Sequence, residues 1–403
     1  MENRKSYTQD ITEKRFHDLL FLFRIGGIPL YMKSVSKIRS IYNIIMSLCF
    51  YSLYVSEWLE VYYSTGLKNT MKTLRMVVPI TILFFMELIF RFRVGTFNEL
   101  LKMTEMFVWE DLPQRNSKTG HVTFAGWIPR IKKIVRRVII ISTGFYTTHR
   151  LVSAVAKHEL MYPGWYPLDT SSSPQFEIVY FTQMLATLLL QATFYGFLYL
   201  YTILVFIACS QLDHLNANIL RIQQKKSSSS KEMKSCSESE YELQKELNEC
   251  IRHHQKIIRY LETLETTMNI PMLVILLILL ITMCTVAFSV ITSMGDVVDM
   301  CLGVYTYMLM IMLVFTYCIL GSLLTQKFES VRDAAWSSDW VGTPVSYQRC
   351  ILFVIAKSNK TFTLTAGKFV PVCNSTMMNM LNQSLSFFMF LLTMKDKNEE
   401  LKQ

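Results

Sequence analysis

Long apolar stretches separated by shorter polar ones run through most of the chain. A helix needs about 20 mostly apolar residues to cross the hydrocarbon core of a bilayer. Seven stretches reach that length, at about 39–63, 73–93, 135–156, 177–208, 270–294, 301–324 and 364–394. Arg136, Arg137, His149 and Arg150 crowd the ends of the third, the last two placed to snorkel to the interface. Pro271, near the start of the fifth, fits a first helical turn, where its missing N–H is not needed. Between the fourth and fifth stretches the period changes. Leu243, Leu247, Ile251, His254, Ile258, Leu261, Leu264 and Met268 recur every three or four residues, which predicts an amphipathic helix from Glu240 running unbroken into the fifth span. Leu212, Leu215, Ile219 and Ile222 extend the fourth span in the same way, and Tyr347 to Lys357 predicts a short apolar helix before the seventh. The stretch 225–239, rich in Ser, Lys and Glu, predicts disorder. The extensions must bury their seams against one another or against another subunit, and the pattern fits either.

The fold class is therefore an all-α membrane protein with seven transmembrane helices. A hydrophobic content of 51% with only 18% charged residues fits that reading and no soluble one of this size. The first apolar stretch is too long and too aromatic for a signal-peptide core, so the N-terminus is expected to be retained. The formal charge of +10 is scattered among the spans, which argues against a nucleic-acid partner and is better used for orientation. Lys and Arg concentrate before the first span and again at Arg130, Lys132, Lys133, Arg136 and Arg137, whereas the loop after the fifth offers Asp296 and Asp299. The N-terminus is thus expected in the cytosol and the C-terminus outside. The resulting layout is a cytosolic segment 1–38, six helices with cytosolic extensions over 39–324, a cytosolic anchor helix in 325–363, a last helix 364–394 and an extracellular tail 395–403.

G-protein-coupled receptors have the opposite orientation, and their other marks are missing: no cysteine between the third and fourth spans, no Asp-Arg-Tyr after the third, no Asn-Pro in the seventh. The nine cysteines include no CxxC pair and predict neither a disulfide framework nor a metal site. Sequons at Asn359, Asn374 and Asn382 fall in cytosol or membrane, where glycosylation is not expected. No catalytic arrangement or phosphate loop is present, so neither enzyme nor cofactor is expected. His253 and His254 read as a solvated helix face, Glu57 and Glu60 as outer-interface residues, and Glu87 as a partner for Arg91 one turn on. A secondary transporter would need internal repeats, and seven spans without a repeat speak against one.

The seventh span differs chemically from the rest. Ser375, Asn379, Asn382, Gln383, Ser386 and Thr393 interrupt it at mostly helical spacing, and such groups avoid lipid because an unsatisfied amide or hydroxyl there costs several kcal/mol. They either hydrogen-bond neighbouring helices or line a hydrated pore, with Phe390 and Met394 completing the stripe as an apolar constriction. Lys368 belongs at the cytosolic end of this helix, in a structural or vestibule role.

The run Thr363-Leu364-Thr365-Ala366-Gly367-Lys368-Phe369 resembles the motif that opens the last helix of insect odorant receptors, and Phe388-Met389-Phe390-Leu391-Leu392-Thr393-Met394 resembles its end. Trp336, Ser338, Trp340 and Arg349 occupy further positions of that pattern. Val370, Cys373-Asn374-Ser375, Asn382 and Leu385-Ser386-Phe387 depart from it, which leaves pore polarity open. The resemblance implies a heterotetramer with the odorant receptor coreceptor in the membrane of an olfactory neuron dendrite, with the last helices around a shared cation pore lined by Ser375, Asn379, Asn382, Gln383, Ser386, Phe390 and Met394. The chain's short second cytosolic loop marks it as the tuning subunit and not the coreceptor; a gustatory-type homomeric channel is the alternative. It also implies a pocket for a small volatile odorant in the outer halves of the second, third, fourth and sixth helices. Depth and spacing there select Val78, Thr81, Ile141, Gly144, Phe145, Thr148, Met184, Leu188, Tyr305 and Met308, with Thr148 or Tyr305 able to donate a hydrogen bond. Any one of these side chains could equally serve only to pack helices together.

Overall fold

The computed structural model describes residues 11–32, 36–116, 120–158, 160–170, 172–229, 236–292 and 297–400. A short helix α1 (His17–Ile25) precedes α2 (Lys37–Tyr63), α3 (Leu67–Phe92) and a short α4 (Val94–Met103). Four long helices follow: α5 (Phe124–Lys157), α6 (Gln175–Ser229), α7 (Cys236–Thr292) and α8 (Val297–Ser337). The chain ends with α9 (Val345–Asn359), strands β1 (Thr365–Ala366) and β2 (Val370–Pro371), and α10 (Asn374–Glu400). Among the described residues, five helices are long and apolar enough to cross a membrane, namely α2, α3, α6, α7 and α8. The remaining two expected spans lie on α5 and α10, which have the length, at 34 and 27 residues, but carry basic residues and the polar stripe respectively.

Helix starts follow local capping chemistry. Ser36 accepts a hydrogen bond from the Arg39 N–H at the head of α2, and Thr123 does the same for Gly126 at the head of α5. His158, in the left-handed region at φ 52°, closes α5 with its N–H on the Ala154 carbonyl. The bundle forms around α6, of whose apolar span 72% is buried, against 39–56% for the other four. On it pack α2, α5, α7 and α8, while α3 lies along α7. Tyr201 and Tyr260, both fully buried, donate their hydroxyls to the carbonyls of Tyr317 and Leu204 and so tie α6 to α8 and α7.

The extensions continue the spans as single helices. Leu212, Leu215, Ile219 and Ile222 on α6 and Leu247, Leu261, Leu264 and Met268 on α7 are all buried in one basal core with Ile351 of α9. Lys327 of α8 pairs with Asp213 of α6 at 2.8 Å, and Asn216 donates to Ser330 at 2.8 Å. In this chain the extension seams are thus closed largely by one another.

Several expectations need correction. Because extension and span form one helix, Pro271 sits inside α7, where its missing N–H removes an interior backbone hydrogen bond, and not in a first turn. The stretch 225–239 is helical to Ser229 and again from Cys236; residues 230–235 lie outside the described ones. The last helix does not start at 364. Residues 365–371 form a hairpin whose tip, Gly367 (φ 63°) and Lys368 (φ 69°), is left-handed and cannot belong to an α-helix. Lys368 therefore occupies a hairpin tip, and α10 begins ten residues later than expected, at Asn374 instead of 364. The Gly367 N–H donates to the Asn269 carbonyl of α7 at 2.9 Å, and an added Cβ on Gly321 of α8 would fall 2.1 Å from the Val372 carbonyl, so the hairpin wedges between α7 and α8.

Candidate ligand cavity and pore face

At mid-length of the bundle, α3, α6, α7 and α8 leave an apolar cavity of about 80 Å³. Pro79, Ile82, Leu83 and Met86 of α3 face Thr193, Phe194 and Phe197 of α6 across it, with Ile275 and Leu279 of α7 and Met310, Leu313 and Tyr317 of α8 closing the other walls. The Thr193 hydroxyl is fully buried and has no partner among the described residues, which leaves a hydrogen-bond donor in an otherwise apolar space. Small-molecule sites usually measure from roughly 300 Å³ upward, so this cavity is a contracted one; Met86 and Met310, unbranched and polarizable, are the walls best able to yield.

Below the cavity, Glu87 of α3 is completely buried and held by three groups. Ser47 and Tyr51 of α2 donate to its two oxygens at 3.1 and 2.7 Å, and Arg91, one turn on as its i, i+4 spacing predicts, donates through Nε. Arg91 also reaches the Ser47 hydroxyl and the carbonyls of Gly27 and Asn43, the latter two at 3.4 Å. Above the cavity, the loop 160–170 caps the bundle. Gln183 exchanges hydrogen bonds with the Tyr162 backbone at 3.0 and 3.1 Å and donates to the Tyr166 hydroxyl, while the Trp165 N–H donates to the Ser56 carbonyl. The loop thus packs on Ser56, next to Glu57, which was expected at an interface and is instead completely buried.

The residues expected around a ligand fall into two groups. Val78 and Thr81 of α3 and Met184 and Leu188 of α6 are buried or half-buried; the first two lie level with the outermost α3 walls, Pro79 and Ile82, and the other two lie farther out along α6 than Thr193, while Thr81 accepts from Tyr54 at 3.4 Å. Ile141, Gly144, Phe145 and Thr148 of α5 and Tyr305 and Met308 of α8 instead lie on outward faces. The structure does not bring these two groups around one space. The cavity walls it does assemble lie deeper on α6, and α7 contributes to them; Thr193, a hydroxyl in a largely apolar run, is the sequence signal that could have marked the place. The side chains of His149 and Arg150 are outside those described.

On α10, Ser375, Asn379, Asn382, Gln383, Ser386, Phe390 and Met394 are all exposed and share one side of the helix, within roughly 120° at 3.6 residues per turn. The opposite side, with Met377, Met380, Leu381 and Ser384, packs on the bundle, and Ser384 bonds the Tyr307 hydroxyl at 3.0 Å. The polar stripe is thus turned away from its own chain. In the basal core His254 is buried and His253 half-buried, a correction to the solvated face expected of them, because His253 packs against Phe107 and His214 and His254 against Phe328, while Arg252, Gln255, Lys256 and Arg259 take the exposed side of the helix. Burial, then a neighbouring histidine, pushes each imidazole down to about 4. Among the described residues no group of three His, Cys, Asp or Glu side chains is placed to hold a metal ion.

Among the described residues, five helices apolar enough to span a membrane, two further long helices and a basal helical core define a helical membrane-type protein with a small internal cavity and one polar outer face. The sequence profile of the family described as "7tm Odorant receptor" matches residues 71–385, and the chain belongs to that family. It is similar to Odorant receptor 85c of Drosophila melanogaster, 26% identical over 149 residues, which is 37% of this chain and 38% of that one. It is also similar to Odorant receptor 2a of the same fly, 24% identical over 266 residues, 62% of this chain and 64% of the relative. These alignments span less than two thirds of the relatives' lengths. The fold is that of the insect olfactory receptor OR5 from Machilis hrabei, solved in complex with eugenol: TM-score 0.72 at 15% identity, over 96% of this chain and 99% of that one.

Proposed function

We propose that the chain is the odorant-binding subunit of an odorant-gated cation channel, assembled with a coreceptor of the same fold. The observation that carries the reading is the outward polar stripe of α10. Amides and hydroxyls in lipid cost several kcal/mol each, so this face must meet water or another subunit, and a ring of such helices encloses a hydrated path with Phe390 and Met394 as its constriction. The α3, α6, α7 and α8 cavity is the ligand site, opened by rearrangement of Met86 and Met310; Val78, Thr81, Met184 and Leu188 flank the approach from the capped end. Eugenol, the ligand of the Machilis receptor, has the chemistry such a site suits: a small, largely apolar volatile with oxygen atoms for one hydrogen bond. The basic residues of the basal end orient it to the cytosol, with α10 ending outside. The chain then acts in the dendrite membrane of olfactory neurons.

Whole-cell current in cells expressing the chain with and without the coreceptor, challenged with volatile hydrocarbons, esters, alcohols and acids, tests this. Current only with the coreceptor is expected. Current from the chain alone would replace the reading by a homomeric channel, and silence in both, with the chain at the cell surface, would overturn it.

A further inference from the structure

One helix, α8, is a wall shared by the cavity and by α10. On one side its Met310, Leu313 and Tyr317 line the cavity. Roughly a quarter of the way round, at 3.6 residues per turn, Tyr307, Gly321 and Ser322 meet the last part of the chain. Gly321 lies under the Val372 carbonyl with no room for a Cβ, and the Ser322 hydroxyl accepts from the Asn374 N–H at 2.9 Å, so the root of α10 is fixed to α8. Farther along, the Ser384 and Tyr307 hydroxyls share a hydrogen bond at 3.0 Å. Among the described residues it is the only hydrogen bond that a side chain of α10 makes with another helix. Phe390 and Met394, exposed on the outer side, lie beyond this tie by about 9 and 15 Å along the axis.

Ser384 is completely buried on a side of α10 otherwise formed by Met377, Met380 and Leu381. A hydroxyl in such a place needs its partner, because left alone it bears the full cost of its desolvation. The bond therefore fixes the rotation and height of this part of α10 against α8, and it is made in a bundle whose cavity is contracted. Tyr307 is also one turn from Met310, the cavity wall that must yield to a ligand, and residues three apart on a helix are neighbours. We infer that the Tyr307–Ser384 bond is a latch that holds the pore helix in its unliganded position and is released when a ligand displaces Met310. Resting on the channel reading proposed above, the latch is the contact that couples cavity to pore. Filling the cavity moves the turn of α8 that carries Tyr307. The root of α10, held about three turns farther toward the base, stays behind, and the span bearing Phe390 and Met394 is free to tilt. A net hydrogen bond of this kind shifts such an equilibrium roughly two- to tenfold, small enough for a ligand to outweigh.

The test is whole-cell current with the coreceptor, normalised to surface-labelled chain, measured without ligand and over concentration series of the volatile hydrocarbons, esters, alcohols and acids named above. Tyr307→Phe and Ser384→Ala are each expected to raise the ligand-free current roughly two- to tenfold and to lower the half-effective concentration of an activating volatile. The double variant should go no further than the larger single, because both singles remove the same bond. Ser384→Thr, which keeps a hydroxyl, should stay near the unaltered chain. Thr306→Val, beside Tyr307 but with its hydroxyl on the Leu302 carbonyl of its own helix, should change neither quantity. A contact that only packs helices would lower current and surface density without raising the ligand-free current. That result, unchanged gating in both single variants, or additive shifts in the double would overturn the latch and leave the channel reading standing. No current from the unaltered chain with any of the volatiles would overturn both.

Discussion

Removing Arg91 should reveal how strongly the α2–α3 contact depends on one buried ion pair. Arg91→Met keeps the length of the side chain but leaves Glu87, completely buried, with only the Ser47 and Tyr51 hydroxyls. Breaking a buried pair by deleting one partner costs about 3–5 kcal/mol, because the surviving charge is left uncompensated. Glu87→Gln should cost less, about 1–3 kcal/mol, since Arg91 is a quarter exposed and keeps its contacts to Gly27, Asn43 and Ser47. In the double variant neither stray charge remains in the interior, so its loss should fall below the sum of the singles by about 2 kcal/mol. The measurement is unfolding of the purified chain in mixed micelles by an ionic detergent, followed by far-UV circular dichroism. If the losses add within about 0.5 kcal/mol, the two residues are not coupled and the reasoning is refuted.

Gly321→Ala would push a methyl to within 2.1 Å of the Val372 carbonyl. It should destabilise the chain by about 1–3 kcal/mol and depress surface expression far more than Gly144→Ala, whose Cβ meets open space. Thr193→Val should raise the half-effective concentration of oxygenated ligands about tenfold in the coexpression assay while leaving hydrocarbons almost unchanged. His253 and His254 have folded-state pKa values near 4 against an ordinary value of 6.5. The unfolded chain therefore binds more protons, and stability is full above about pH 6.5 and lost as pH falls toward 4. Each unit is worth about 1.4 kcal/mol, and a His253→Gln, His254→Gln double variant should flatten that acid limb in a pH series of thermal melts.

What could be read from the sequence is what periodicity and length control. The long helices, the extension seams and the Glu87–Arg91 spacing each follow from repeats of three and four residues, so they were legible. The hairpin was not. Its two-residue strands are embedded in apolar sequence continuous with α10, and only the positive φ at Gly367 and Lys368 separates them. Glu57 and His254 were misplaced for a common reason: a charged or polar residue is read as solvated unless its tertiary surroundings are known, and periodicity does not supply them. The sidedness of α5 was hidden too. Apolar residues surround that helix on most sides, so Ile141 and Phe145 carried no sign that they would turn outward.

The same ambiguity of apolar helices makes α10 informative, because its two sides differ in kind. Met380 and Ser384 are buried against α7 and α8, whereas Asn379, Asn382 and Gln383 are exposed. An isolated chain in a bilayer would present those amides to lipid, at a cost that three such groups raise to the scale of a whole domain's stability. Nothing in the basal core, where the seams already close on one another, offers the chain a way to turn that face inward. Only other subunits or water can cover it, and a closed ring of subunits provides both at once, water along the axis and protein at the flanks. If α10 lines a pore as proposed, its polar stripe ties conduction to assembly: variants that replace Asn382 and Gln383 by Leu should remove the need for partners and the current together.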